Sequence, residues 1–220
     1  STFPTVLYDG IEVNSGLLIF SSNQQFMLTT DSDAFTPQTA KINYLSAYNF
    51  NHKTKPFSLG VTSGFINSTG KNARFFEMAD VRREGEPTVL EQSKVVSKLL
   101  PIDLTMAASS KENTLILLGS ENKNEIWGYR FFNTGERRVQ SSWFRWEIPG
   151  NLVYHAIMDD VYYTVVKNGT NYTLEAYDVR KQDDTTIVGT APDDYKVHLD
   201  CHKVIASSGL TYSATTKKTT

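Results

Sequence analysis

The strongest constraint on the fold is an alternation of apolar and polar side chains with a period of two. Residues 161–166 and 172–177 alternate β-branched and aromatic residues in this way, which is the pattern of half-buried strands. Asn168 and Gly169 lie between the two runs. An Asn-Gly pair favours a type I′ turn, in which both central residues need a positive φ. The segment therefore predicts a β-hairpin.

The same alternation recurs along the chain. Hairpins begin near residues 17, 61, 114 and 161, so successive starts are separated by roughly 45 to 50 residues, which is close to the repeat length of propeller blades. Further strands are indicated at 40–45 and 139–146. We predict an all-β fold, a β-propeller-like array of antiparallel hairpins or blades, with three to five blade-like sheets.

One segment departs from the strand pattern. In residues 88–100, Val89, Ser93, Val96 and Leu100 would share one face of a helix that Pro101 ends, so we predict one short helix there. The alternation weakens after residue 180, and residues 213–220 are rich in Thr and Lys. We therefore predict a propeller-like region over 1–190, and over 191–220 the start of an incomplete β segment that is partly disordered.

Composition excludes several classes of protein. The 220 residues include 22 Lys and Arg against 24 Asp and Glu, for a net charge of −2, and one cysteine. This balance gives no basic surface for tight binding of nucleic acid, and one cysteine excludes an internal disulfide framework. No apolar run approaches the ~18 residues of a membrane helix, so we predict no membrane span.

Motifs for catalysis are absent from the sequence. There is no Gly-x-Ser-x-Gly, no phosphate-binding Gly-rich loop and no His-Glu-x-x-His. His198, Asp200 and His202 would share one face of a strand and could meet a metal ion, although an exposed polar edge strand is the favoured interpretation. Pairs such as Asp159-Asp160 could serve a glycan hydrolase but are more typical of loops. We predict no enzyme, no cofactor and no metal.

The three tryptophans are the remaining candidates for an interaction site: Trp127, Trp143 and Trp146. Within the predicted strand, Trp143 and Trp146 would lie on opposite faces, with Arg145 available for stacking. Exposed, these rings could form a carbohydrate platform. Packing between adjacent sheets is the favoured interpretation because large aromatic side chains dominate the cores of such folds.

Several segments of the chain resemble those of a known family. Residues 16–28, GLLIFSSNQQFML, followed by 35–40, FTPQTA, are similar to one characteristic stretch of that family. The runs ENTLILL, WGYRFF and QSSWFRW, at residues 112–118, 127–132 and 140–146, are similar to a second. The chain thus resembles the tail tubular protein B, or nozzle protein, of short-tailed phages with a T7-like tail. The resemblance covers most of the chain and keeps the order of its segments.

This resemblance implies a structural virion protein with a β-propeller domain and no catalytic residues. Six copies would form the tail nozzle, in contact with the tail adaptor (tail tubular protein A) and the tail fibres, and the double-stranded genome would pass through without tight binding. The protein would be made in the bacterial cytoplasm and reside in the virion tail. Its length implies a fragment of a longer subunit. The alternatives are a carbohydrate-binding propeller for host-surface recognition and, less favoured, a glycan hydrolase.

Overall fold

The computed structural model describes residues 5–13, 16–79, 81, 86–135 and 137–180, together with four short strands beyond residue 180. The chain divides into two compact units, Ser1–Arg180 and Lys181–Thr220. The described residues of the second unit form two two-stranded antiparallel sheets. Their strands are β16 (Thr186–Val188) with β17 (Tyr195–Val197), and β18 (Tyr212–Ser213) with β19 (Lys218–Thr219).

The described part of the first unit consists of four antiparallel sheets, and in each the strands are neighbours in chain order. Sheet A holds β1 (Leu7–Val13), β2 (Gly16–Ser21), β3 (Gln25–Thr30) and β4 (Ala40–Ser46). Sheet B holds β5 (Phe57–Ser58), β6 (Ser63–Asn67), β7 (Arg74–Ala79) and β8 (Thr88–Glu91). Sheet C holds β9 (Met106–Ser110), β10 (Leu115–Gly119), β11 (Glu125–Thr134) and β12 (Arg137–Glu147). Sheet D holds β13 (Asn151–Met158), β14 (Val161–Asn168) and β15 (Asn171–Asp178).

Apolar side chains join each sheet to the next. Phe20 of sheet A and Phe65 of sheet B belong to one buried cluster, Phe75 and Ile116 to a second between sheets B and C, and a third joins sheets C and D. The first strand of sheet C, β9, contacts the first strands of sheets B and D. First strands side by side, with later strands farther out, are the arrangement of propeller blades. The predicted all-β, blade-like array is confirmed.

The hairpin of β14 and β15 is confirmed, but its turn differs from the predicted type. Asn168 pairs with Asn171, so Gly169 and Thr170 are the two central residues of the turn. Gly169 has a φ of +60°, and neither Asn168 nor Thr170 is among the residues with positive φ. A glycine with positive φ at the first central position is typical of a type II′ turn. The Asn-Gly pair thus sits one residue earlier than a type I′ turn requires.

The short helix predicted over residues 88–100 is present only as a three-residue 3₁₀ turn, Lys94–Val96. Residues 88–91 form β8 instead and pair with β7, Val89 opposite Met78. The open edge of β7 offers these residues backbone hydrogen bonds along one side of the strand, and together with the packing of Val89 against the cluster between sheets A and B this outweighs a weak helical pattern. The Ser93 hydroxyl then accepts a hydrogen bond from the backbone N–H of Phe75. This bond fixes the 3₁₀ turn in the segment where the helix was expected.

Two sequence predictions lie outside the described residues. These are the His198, Asp200 and His202 cluster and the boundary between residues 190 and 191; both stay predictions. In the described part of the chain, no helix has the length and apolar character needed to cross a membrane.

Candidate functional site

The most connected group of polar side chains lies between sheets B and C, at a buried carboxylate. Strand β7 carries Glu77, and β12 carries Arg138 on the part of the β11–β12 hairpin that extends past the end of β10. Arg138 donates from Nη2 to Glu77 Oε1 over 2.8 Å and from Nη1 to Oε2 over 2.9 Å. The side chains are 23% and 6% exposed, respectively. A bidentate pair this buried is shielded from solvent screening.

Neighbouring side chains complete the hydrogen bonding of this pair. Thr62 donates its hydroxyl to Glu77 Oε1 over 2.6 Å, and Gln92 donates its amide to Oε2 over 2.7 Å. Arg138 also donates to the Tyr129 hydroxyl, which donates in turn to Gln92 Oε1. We call these five residues the B–C lock. It contains a carboxylate and a cation but leaves neither available for proton transfer, because each is occupied by the other.

The guanidinium of the lock is further stabilised by its surroundings. Burial lowers the pKa of Arg138, but the hydrogen bonds and the charge of Glu77 outweigh that effect and the pKa is raised above its ordinary value. The guanidinium carbon also lies 4.1 Å from the centroid of the Phe131 ring, within the range of a cation–π contact. Arg138 is therefore held as a permanent charge between two sheets.

The structure does not bring the three tryptophans together on one surface. Trp127 is buried in the cluster between sheets B and C. Trp143 packs against the same cluster, and its Nε1 donates to the carbonyl of Gln92 over 3.2 Å. Trp146 lies on the opposite face of β12, against the cluster between sheets C and D. Arg145 stacks over Trp127 at 5.6 Å from its ring centroid.

The acidic pair Asp159-Asp160 forms the turn between β13 and β14. Asp159 has a φ of +53°, and Asp160 accepts a hydrogen bond from the Asn113 amide over 3.0 Å. Asp159 and Glu112 both line a surface depression. Sequence reasoning missed this second carboxylate because only the packing of β13 against β9 brings it close. Among the described residues, no group of three or more His, Cys, Asp or Glu is placed to hold a metal ion.

A buried histidine lies between sheets C and D. His155 of β13 is 3% exposed, and its Nδ1 forms a 2.9 Å hydrogen bond with the Tyr162 hydroxyl of β14. Burial lowers the pKa of His155 to about 4. This side chain is therefore neutral at physiological pH and belongs to the core.

Among the described residues, sheets A and D each expose large apolar side chains on one face. On sheet A the exposed residues include Ile42 and Tyr44, and on sheet D they include Tyr154, Tyr172 and Leu174. Contiguous exposed apolar surface of this kind marks an interaction site. Three separate apolar clusters join the four sheets in series, so the described part of the first unit resembles a row of blades.

Comparison with known proteins decides the family. All of the chain, residues 1–220, matches the sequence model of the bacteriophage nozzle proteins. The chain belongs to this family. Tail tubular protein gp12 of Escherichia phage T7 is 23% identical over 176 residues, which are 77% of this chain and 22% of the T7 protein. The chain thus corresponds to a limited part of that relative. The family membership agrees with the resemblance noted in the sequence.

Proposed function

We propose that residues 5–180 form a rigid part of the nozzle wall, through which the phage genome leaves the particle. The observation that carries this proposal is the serial packing of sheets A to D through three apolar clusters. The B–C lock adds a buried ion pair across the middle interface. A wall that must keep its shape while DNA moves past it needs closely packed interfaces between its sheets.

The nozzle would be a ring of six copies, in contact with the tail adaptor above it and with the tail fibres at its side. The T7 relative is named as a tubular tail protein, and head-to-tail contacts between identical subunits that close on themselves form a ring. The 22 basic residues are balanced by 24 acidic ones. A near-neutral wall lets DNA pass because it releases few counterions on contact and so binds phosphates weakly.

Two measurements test this function. An antibody raised against the chain should label the tail tip of intact virions in electron micrographs, and label confined to the capsid would contradict the proposal. In a filter-binding assay at ~150 mM salt the chain should retain no duplex DNA, because nonspecific affinity depends on clustered positive charge. Tight retention at that salt would rule out a low-friction wall.

We also propose that the chain has no catalytic role, in keeping with a family of structural tail proteins. Glu112 and Asp159 line the depression in which two carboxylates could serve glycan hydrolysis. The double variant Glu112→Gln, Asp159→Asn should therefore leave phage adsorption and plaque formation unchanged. Glycan release by the wild-type chain that this variant loses would contradict the proposal.

A further inference from the structure

The outer strand of sheet D differs from the outer strands of the other three sheets. Sheets A, B and C each have four strands, and sheet D has three among the described residues, so that β15 is its outer strand. A strand at a sheet edge exposes unpaired backbone N–H and C=O groups. Natural proteins protect such edges from other chains with bulges, short strands, lysine or other charges, or proline.

The outer strands of sheets A, B and C carry this protection. The pairing of β4 with β3 has a register shift between Gln25 and Phe26 of β3, and β4 contains Lys41. Strand β8 has only four residues and ends in Glu91. The pairing of β12 with β11 has a register shift between Phe132 and Asn133 of β11, and β12 contains three arginines.

Strand β15 carries almost none of it. Its eight residues, NYTLEAYD, include the acidic Glu175 and Asp178 but no lysine, arginine or proline, and all eight pair with β14 without a register shift. Its side chains are mostly exposed, Leu174 at 69%. A long, regular edge rich in aromatic and aliphatic residues is the template that strand addition requires.

The register also shows which backbone groups are open. Asn168 and Asn171 flank a two-residue turn, and the pair that flanks such a turn is hydrogen-bonded. Hydrogen-bonded and non-hydrogen-bonded pairs alternate along an antiparallel ladder. The backbone groups of Tyr172, Leu174 and Ala176 therefore point away from β14, towards the open edge.

We propose that β15 accepts a fourth strand from the remainder of the same nozzle subunit, outside these 220 residues. The inference rests on the proposal that the chain is part of a nozzle subunit. The aligned segment is 22% of the T7 relative, so most of that polypeptide lies beyond it and can supply strands. The incoming strand pairs with Tyr172, Leu174 and Ala176 and completes sheet D to the four strands of its neighbours.

Hydrogen exchange measured by mass spectrometry tests this pairing. The 220-residue chain is compared with monomeric nozzle subunit released from disrupted virions. In the chain, the outward amides of β15 should exchange within seconds. In the subunit they should exchange at least ~100-fold more slowly, since a paired amide exchanges only when its strand opens. The amides of β14, which is paired on both sides, serve as the internal control and should be slow in both.

Substitutions at Ala176 distinguish protection by an added strand from protection by another part of the subunit that buries β15 without pairing with it. Ala176→Pro removes one outward N–H that β14 does not use, so the β15 amides of the subunit should regain fast exchange. Ala176→Ser keeps the N–H and should keep the protection. Melting of the isolated variant chain checks that Ala176→Pro leaves the rest of the sheet intact.

Four results would overturn the inference. Equal, slow exchange of β15 in chain and subunit would place the added strand within the 220 residues. Equal, fast exchange of β15 in chain and subunit would show that no strand is added. If Ala176→Pro left the protection of the β15 amides unchanged, the subunit would bury β15 without pairing a strand with it. Protection that arises only in assembled rings would assign the strand to a neighbouring copy. By contrast, absence of the polypeptide from virion tails would remove the proposed function itself.

Discussion

Gly128 illustrates how a single residue controls the packing between sheets C and D. It pairs with Phe144 across β11 and β12, and a Cβ atom at Gly128 would lie 2.1 Å from the Phe144 ring. The ring therefore lies directly over the glycine backbone. This close approach explains a glycine in the middle of a buried strand, where it otherwise costs stability.

We predict that Gly128→Ala destabilises the chain by about 2 kcal/mol, because the Phe144 ring must leave a well-packed position. Denaturant unfolding followed by tryptophan fluorescence measures the change. The matched control is Gly10→Ala in β1, where a Cβ would lie 3.4 Å from Leu17, an ordinary contact. The control should change stability by less than about 0.5 kcal/mol. Equal effects of the two substitutions would show that the Phe144 contact is unimportant.

His155 makes stability depend on pH. Its pKa is lowered to about 4 in the folded chain, whereas an unfolded histidine titrates near ~6.5. Between these values the unfolded chain binds more protons, so the free energy of unfolding falls as the pH drops from about 6.5 to about 4. The loss attributable to His155 is about 3 kcal/mol.

This dependence is measured by urea unfolding at a series of pH values. His155→Gln should flatten the curve between pH 6.5 and 4, because glutamine does not titrate. His52→Gln is the control, since His52 is exposed and stacks on Tyr8. If His155→Gln kept the full acid sensitivity, another group would be responsible for it.

At the scale of elements, the β11–β12 hairpin is fastened to sheet B by the B–C lock. Arg138→Met leaves the buried Glu77 carboxylate without its cation, and an unpaired buried charge costs about 3 kcal/mol. We expect the melting temperature to fall by ~10 °C, as measured by calorimetry. Replacing Glu77 by Gln as well should recover part of this loss, because no unpaired charge then remains.

The control for the lock is Arg145→Met on the same strand. Arg145 pairs with Glu125 and Glu147, and all three side chains are more than a third exposed, so the pairing contributes at most about 1 kcal/mol. A loss for Arg145→Met as large as that for Arg138→Met would show that charge on β12, rather than the lock, sets stability.

Elements were predicted well where a repeating pattern and tertiary pairing agree. The alternation at 161–166 and 172–177 predicted β14 and β15, and residues 139–146 lie within β12. The prediction was wrong at 88–100, where four apolar or small residues at helical spacing were read as a helix. Residues 88–91 have no strong intrinsic preference for helix or strand, and pairing with β7 decides their conformation.

At the scale of the whole molecule, the described part of the first unit exposes apolar side chains of sheet D and the edge of β15. We therefore expect the chain to self-associate as its concentration rises, since exposed apolar faces and unprotected edges associate. Leu174→Lys should weaken this association in sedimentation velocity experiments. It should change the melting temperature little, because Leu174 is exposed.

Val95→Lys is the control for that experiment. Val95 is 88% exposed but lies in the 3₁₀ turn after β8, away from the outer face of sheet D. This substitution adds the same charge and should leave the association unchanged. A wild-type chain that sediments as a monomer at every concentration would contradict the prediction.

The sequence by itself determined the all-β class and the hairpins, because side-chain alternation and turn residues act over a few neighbouring positions. The family was implied by the resemblance of several segments in their order, and the match of residues 1–220 to the family's sequence model shows it. The sequence also placed Trp143 and Trp146 on opposite faces of one strand. Only the tertiary structure decided that Glu77 and Arg138, 61 residues apart, meet between two sheets, and that Asp159 lies near Glu112. Such contacts depend on which blades pack together, and local patterns carry no information about that packing.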